Sequence, residues 1–203
     1  TYTYTNPTPM DPAAYLANGV IGLRLPRIPF LADTAFVQGY VGVGPEDGVE
    51  EMLPIPYPLG CDLAIDGWWL GEYPHQAEFV EQRYDFACGE LTSVLRVNGP
   101  AATAEVEVLT FCSRTQPMVV LQRTTVRVDK ACDLVLQAKI DWRGAMGALL
   151  QRVMAGRPDQ PRPGRDRDAI VHWQSPGGLS TCGVAYDSIL SSDDVQDRRR
   201  NDY

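Results

Sequence analysis

Apolar and polar residues alternate with a period of two along much of this chain, the pattern of strands that turn one face inward. In CDLAIDGWWLGE, Leu63 and Ile65 alternate with Asp62, Ala64 and Asp66. Asp66-Gly67 then predicts a two-residue hairpin turn into Trp68, Trp69 and Leu70. In ELTSVLRVNG, Leu91, Ser93, Leu95 and Val97 share a face, and Asn98-Gly99 offers the next turn. Residues 103–112 return antiparallel, and residues 118–128 and 134–142 continue the alternation. In the last of these, Leu134, Leu136, Ala138, Ile140 and Trp142 make one apolar face. Earlier, Asn18-Gly19 signals a turn into a strand from Val20 to Leu25, stopped by Pro26 and Pro29. Ala35 to Val43 forms a second strand-like stretch, where Gly39 and Gly42 favour a bulge or a close backbone approach. Four prolines and three glycines in residues 44–60 predict a long irregular connection.

The pattern changes at residues 143–169. GAMGALLQRVMAG reads as a short helix, and the charged, Pro/Gly-rich stretch after it as a mobile insertion. AIVHWQ and LSTCGVAYDSIL resume as strands across an SPGG turn. Many short strands with little helix predict an all-β fold, a two-sheet antiparallel β-sandwich. The expected organisation is an extended lead-in over residues 1–15, one sandwich domain over 16–190, and a polar tail over 191–203.

Composition narrows the partners. The length of 203 residues suits one such domain, and 44% apolar residues can fill a sizeable core. A net charge of -8 argues against nucleic acid, whose phosphates it repels. No apolar stretch approaches the ~20 residues that cross a bilayer, so no membrane partner is expected. The N-terminal TYTYTNPTPM has neither the basic flank nor the apolar core of a signal peptide. Five cysteines, Cys61, Cys88, Cys112, Cys132 and Cys182, are widely spaced without a C-x-x-C. They read as free thiols in a reducing cytoplasm, not as a metal site or a redox motif. No metal and no cofactor is expected. Two lysines stand against sixteen arginines, a bias without chemical content.

Four stretches, taken in order, carry a family resemblance. NGVIGLR at 18–24 looks like an Asn-Gly-aromatic-x-Gly-x-Arg opening, with Val20 and Ile21 standing where the aromatic is usual and Leu25 where a glycine often follows the Arg. FVQGYVG at 36–42 leads through an acidic, Pro-rich stretch to MLPIPYPLG. LAIDGWWL and YDFACGELTSVLRV complete the set, and similarity returns near HWQSPGG. Together they resemble the N-terminal domain of glycoside hydrolase family 65, which contains maltose, trehalose and kojibiose phosphorylases and acid trehalases. The resemblance implies a supersandwich related to galactose mutarotase. It also implies that the reaction takes place in a separate (α/α)6 barrel of the same polypeptide, which carries the general-acid glutamate. No helix-repeat region for such a barrel lies within these residues, so no catalytic residue carries over.

The expected role is therefore non-catalytic: packing on the barrel, supporting a homodimer, and lending loops to the entrance for an α-glucosidic disaccharide. Asn18, Gly19, Gly22, Arg24, Gly39 and Tyr40 are the candidates for the entrance or docking surface. Trp68 and Trp69 are candidates for stacking on a carbohydrate ligand, since aromatic rings cover the apolar faces of pyranoses. Two other function classes stay open, a free-standing carbohydrate-binding module and a small mutarotase-like enzyme working through His75 or His172 and a carboxylate.

Overall fold

Among the described residues, sixteen strands and two short 3-10 turns make up the regular structure, all strand pairs running antiparallel. The computed structural model describes residues 1–5, 12–154, 169–189 and 191. Residues 155–168 of the expected insertion and 192–203 of the expected tail lie outside the described residues. In order, the strands are β1 (Tyr2–Tyr4), β2 (Ala14–Ala17), β3 (Ile21–Leu25), β4 (Ala35–Val37), β5 (Val41–Val43), β6 (Glu50–Met52), β7 (Tyr57–Ile65) and β8 (Trp68–Trp69). They continue as β9 (Ala77–Asp85), β10 (Glu90–Asn98), β11 (Thr103–Cys112), β12 (Val120–Val128), β13 (Leu134–Asp141), β14 (Ala148–Met154), β15 (Ala169–Gln174) and β16 (Thr181–Tyr186).

A five-stranded sheet, β1-β9-β10-β11-β12, forms one layer of the sandwich. Smaller sheets β13-β7-β8, β14-β15-β16, β2-β3-β4 and β5-β6 supply the rest. The inner face of the large sheet is written in its alternation: along β10 and β11 every second residue, Leu91 to Val97 and Ala104 to Cys112, is buried. That face feeds two hydrophobic cores. Leu95, Val97, Val106 and Val108 pack with Leu63, Ile65 and Leu70 of the β7–β8 hairpin in one. Leu91 and Cys112, at the other end of the same strands, pack with Leu16, Leu23, Val171 and Trp173 in the other.

Between the cores the inner face turns polar. Ser93 on β10 and Thr110 on β11 are both buried, each set between an apolar residue of either core. Gln82 Nε2 donates to Ser93 Oγ at 3.0 Å, and Gln122 Nε2 donates to Thr110 Oγ1 at 3.5 Å. These partners make the burial affordable, because an unpaired hydroxyl in such a place costs about 1–3 kcal/mol.

Four local expectations change. Where a helix was expected from GAMGALLQRVMAG, the described residues 144–154 form a turn followed by β14, which pairs with β15. The free edge of β15 offers this segment a ladder, and tertiary pairing overrides its helical spacing. Of the apolar face expected on residues 134–142, Ile140 is buried and Trp142 partly so, but Leu134 and Leu136 are exposed. Among the described residues β13 pairs only with β7, so it is an edge strand. The irregular connection over 44–60 contains a real strand, β6, paired with β5, and the lead-in contributes β1, paired with β9.

Candidate functional site

The β2–β3 corner separates its two faces by simple alternation. Leu16 sits opposite Leu23 and both point into a core, while Tyr15 sits opposite Arg24 on the outer side. Gly22 lies under the Tyr15 ring: a Cβ there would come within 1.9 Å of the Tyr15 hydroxyl oxygen. Arg24, 53% exposed, pairs through Nε with Asp33 Oδ1 at 3.6 Å. Asp33 is held in turn by accepting from the Thr34 backbone N–H at 2.8 Å and its hydroxyl at 3.1 Å. The Tyr84 hydroxyl donates to the Tyr15 carbonyl at 2.6 Å, and the Tyr84 ring stacks on exposed Phe86 at 4.5 Å. The outer face of this corner thus carries a guanidinium, a glycine-thinned strand and the exposed Tyr15 ring.

Asn18 and Gly19 make the turn that feeds this strand. Gly19 takes φ +91 with nothing near a Cβ, so its role is conformational. Asn18 does more than turn. Its Oδ1 accepts from the N–H groups of Val20 and Ile21 at 3.0 and 2.9 Å. Its Nδ2 donates to the carbonyls of Ser113 and Pro117 at 2.6 and 3.0 Å, in the loop between β11 and β12. The amide therefore staples two loops far apart in sequence, and both its donors are occupied by the protein itself.

Gly39 takes φ +83 in the turn between β4 and β5, again with open space around it. Tyr40 is 3% exposed and belongs to a core, so it lies beneath the surface that the sequence reading assigned to it. Among the described residues its hydroxyl has no hydrogen-bond partner of normal geometry, with the Cys182 thiol as its polar neighbour, and burial pushes its pKa up to about 12. Beside it, Gly42 is pressed by Leu53 and by Ser175 of the SPGG turn, and Val41 N–H donates to Ser180 Oγ at 3.1 Å. FVQGYVG and HWQSPGG, distant in the chain, are thus one packed unit.

Trp68 and Trp69 follow the Asp66-Gly67 turn, whose φ values of 50 and 80 are the paired positive angles a tight hairpin requires. Trp68 is 46% exposed and Trp69 is half-buried, so neither serves as a core anchor; Leu70 does. The segment after it is pinned. Asp62, buried, accepts from Leu63 N–H at 2.8 Å and from Gly71 N–H at 3.0 Å. The Trp68 ring lies 5.1 Å from that of Tyr73, which meets His75 edge-on at 6.2 Å.

The acidic residues are mostly engaged elsewhere. Asp62 holds the hairpin, and Asp66 Oδ1 accepts from Asp133 N–H at 2.9 Å. Glu78 and Glu105 pair with Arg96 and Arg127, and Glu81 and Glu107 with Arg83, on the outer face of the large sheet. Such exposed pairs contribute little to stability. Asp141 bonds the Arg143 guanidinium, and that bond holds its carboxyl below the usual carboxylate range. Among the described residues no three His, Cys, Asp or Glu side chains converge to hold a metal ion. Cys61, Cys112 and Cys182 are free thiols whose pKa values burial raises, to about 12, 11 and 11, so they are poor nucleophiles.

Two parts of the Arg24 face had no sequence signal. Asp33 sits in an unpatterned loop, and Phe86 and Tyr84 belong to a hairpin 60 residues away whose approach only the fold reveals. Tyr15 had a weak one, the alternation AYLA, in which it must face away from Leu16.

The sequence model of a family described as "Glycosyl hydrolase family 65, N-terminal domain" matches residues 13–175. No curated protein matches the chain.

Proposed function

The chain belongs to the family of glycosyl hydrolase family 65 N-terminal domains, and from that premise we propose that it is a non-catalytic sandwich domain, residues 16–190, serving a barrel of the same polypeptide. The parent enzyme cleaves an α-glucosidic disaccharide by hydrolysis or phosphorolysis in the cytoplasm. The domain packs on the catalytic (α/α)6 barrel, supports a homodimer and borders the substrate entrance.

One observation carries the docking role. The outer face of the β2–β3 corner exposes Arg24 and, cross-strand from it, Tyr15, whose hydroxyl lies where a Cβ on Gly22 would sit. A guanidinium beside an exposed aromatic ring is a composition typical of interface anchors. Asn18 and Gly19 shape this face from behind, while Gly39 and buried Tyr40 hold the neighbouring β4–β5 turn.

Two measurements test the reading. The open reading frame is expected to continue past Tyr203 into several hundred residues of helical pattern; a frame that closes without them overturns the role. Arg24→Ala in the full-length polypeptide should weaken assembly or activity by roughly tenfold, the effect of removing one interface anchor worth about 1.4 kcal/mol. Unchanged activity together with unchanged assembly would remove the β2–β3 face from the interface.

A further inference from the structure

We propose that the free edge of β13 pairs antiparallel with β13 of a second copy of this chain, about a two-fold axis at Val135, so that two sheets of three strands become one of six. The contact names the surface of the homodimer put forward above and rests on that reading only there; edge and occupant come from the strand itself. Hydrogen bonding fixes which groups point outward. Asp66 N–H donates to the Asp133 carbonyl at 2.8 Å, and Leu63 turns its carbonyl away from β13 to accept from Leu70 N–H at 2.8 Å. Since Asp133 faces β7, so do Val135 and Gln137. Alternation then directs the N–H and C=O groups of Leu134, Leu136 and Ala138 to the free edge. Among the described residues the Tyr186 hydroxyl takes the Ala138 carbonyl at 2.9 Å, and nothing meets the edge groups of Leu134 and Leu136.

Edge strands are usually blunted by brevity, charge, proline or a bulge. β1, β4 and β8 are two or three residues long, β12 carries Arg123 and Arg127, and β14 carries Arg152 and a register shift. From Leu134 to Ala138, β13 has none of these, and Leu134, Val135 and Leu136 are 36%, 39% and 40% exposed. Leu134 and Leu136 stand opposite buried Ile65 and Leu63, so they carry the face of the hairpin core out to the edge. Three features select a second copy as the occupant. Leu-Val-Leu reads the same in both directions, so a two-fold axis at Val135 sets each Leu134 against Leu136 of the other copy. Each such pair exchanges two backbone bonds, which satisfies every free group named above. The run is flanked by Asp133 at one end and Lys139 at the other. An antiparallel copy brings the lysine diagonal to the aspartate, where a parallel one would set like beside like. Finally, the stretches outside the described residues, such as RPDQPRPGRDRD and DDVQDRRRNDY, are too charged or too Pro-rich to supply an apolar strand.

The test is sedimentation of the 203-residue chain from micromolar to submillimolar concentration, joined by cysteine cross-linking in a Cys88→Ser background. The expected result is a reversible dimer whose dissociation constant Leu136→Lys raises by roughly tenfold or more, with the thermal midpoint unchanged. Val135 and its counterpart form a non-hydrogen-bonded pair with Cα atoms about 4.5 Å apart, so Val135→Cys should oxidise to a covalent dimer. Gln137→Cys, whose counterpart lies four residues along at roughly 14 Å, should not. A chain that stays monomeric throughout overturns both this contact and the homodimer. A dimer that Leu136→Lys leaves equally tight, and that Val135→Cys fails to bridge, overturns this edge while the homodimer stands on another surface. Equal bridging by the two cysteine variants overturns the register at Val135. Slow hydrogen exchange at the Leu134 and Leu136 amides in a monomer assigns the edge to a strand of the same polypeptide and overturns the proposal too.

Discussion

The two cores of this sandwich share the same pair of strands yet are assembled in opposite ways. The core around Leu95 and Val106 draws on residues 28–132, most of them in hairpins joined by tight turns. The core around Leu23 and Trp173 gathers residues from 14 to 186, and its strands β3 and β15 come from opposite ends of the chain. Buried Ser93 and Thr110 divide the inner face between them. The lesson is that one regular alternation on β10 and β11 serves two neighbourhoods, one close in sequence and one closed only by long-range pairing. Local closure costs less chain entropy, so the hairpin core should form more readily than the other.

The strongest way to break this comparison is to empty one core at a time. Trp173→Ala removes a buried ring and its Nε1 bond to the Met146 carbonyl, at 3.0 Å, and should cost about 3–5 kcal/mol. Leu95→Ala in the other core should cost about 2–5 kcal/mol. Hydrogen exchange after Trp173→Ala is expected to accelerate in β2, β3, β15 and β16 while the β10–β11 pairing stays protected near Val97 and Ala104. Equal acceleration everywhere would show that the two cores unfold as one unit.

Alkaline pH acts on both cores, since Cys61 against the hairpin core is also raised by burial, to about 12, but it falls most heavily on the Trp173 core. Cys112 and Tyr40 lie in the Trp173 core and Cys182 packs against it, with pKa values raised by burial to about 11, 12 and 11. Their folded values lie above their unfolded ones, so their neutral forms stabilise the fold fully below about pH 9. That contribution is lost as the pH climbs toward about 11. Denaturant melts in reducing buffer near pH 8 and about pH 10.5 should show a fall that Cys182→Ala makes shallower. A fall of the same size in the variant would assign the effect to other groups.

The smallest effects concern turns. Asn18→Ala deletes the staple between the β2–β3 turn and the loop holding Ser113 and should cost about 1–3 kcal/mol. Gly67→Ala, in the hairpin core, forces φ +80 on a residue with a Cβ and should cost about 1–2 kcal/mol. The thermal midpoint reads both. An Asn18→Ala variant no less stable than the wild type would make its side chain a local turn former only.

The hairpin core was legible because its signals are local. Asp66-Gly67 needs positive φ at two successive residues, and the alternation of Leu91 to Val97 needs only neighbours to be read. The other core and the candidate surfaces were less so. Tyr40 looked like part of an exposed loop and is buried, because β16 and its Cys182 close over it from the far end of the chain. Arg24 was visible, but its partner Asp33 and the bond from Tyr84 to the Tyr15 carbonyl were not. Trp68 was visible, and its stacking on Tyr73 follows from a turn whose geometry the sequence only hints at.

By itself the sequence determined the all-β class, the inward faces of β10 and β11, and the hairpin turn, since period and φ are properties of adjacent residues. Only the tertiary structure decided that Ala148–Met154 is a strand, that Leu134 and Leu136 stay in water, and that Asn18 binds a loop near residue 113. Each of these depends on which distant edge or carbonyl is within reach, and reach is set by packing instead of by neighbours along the chain.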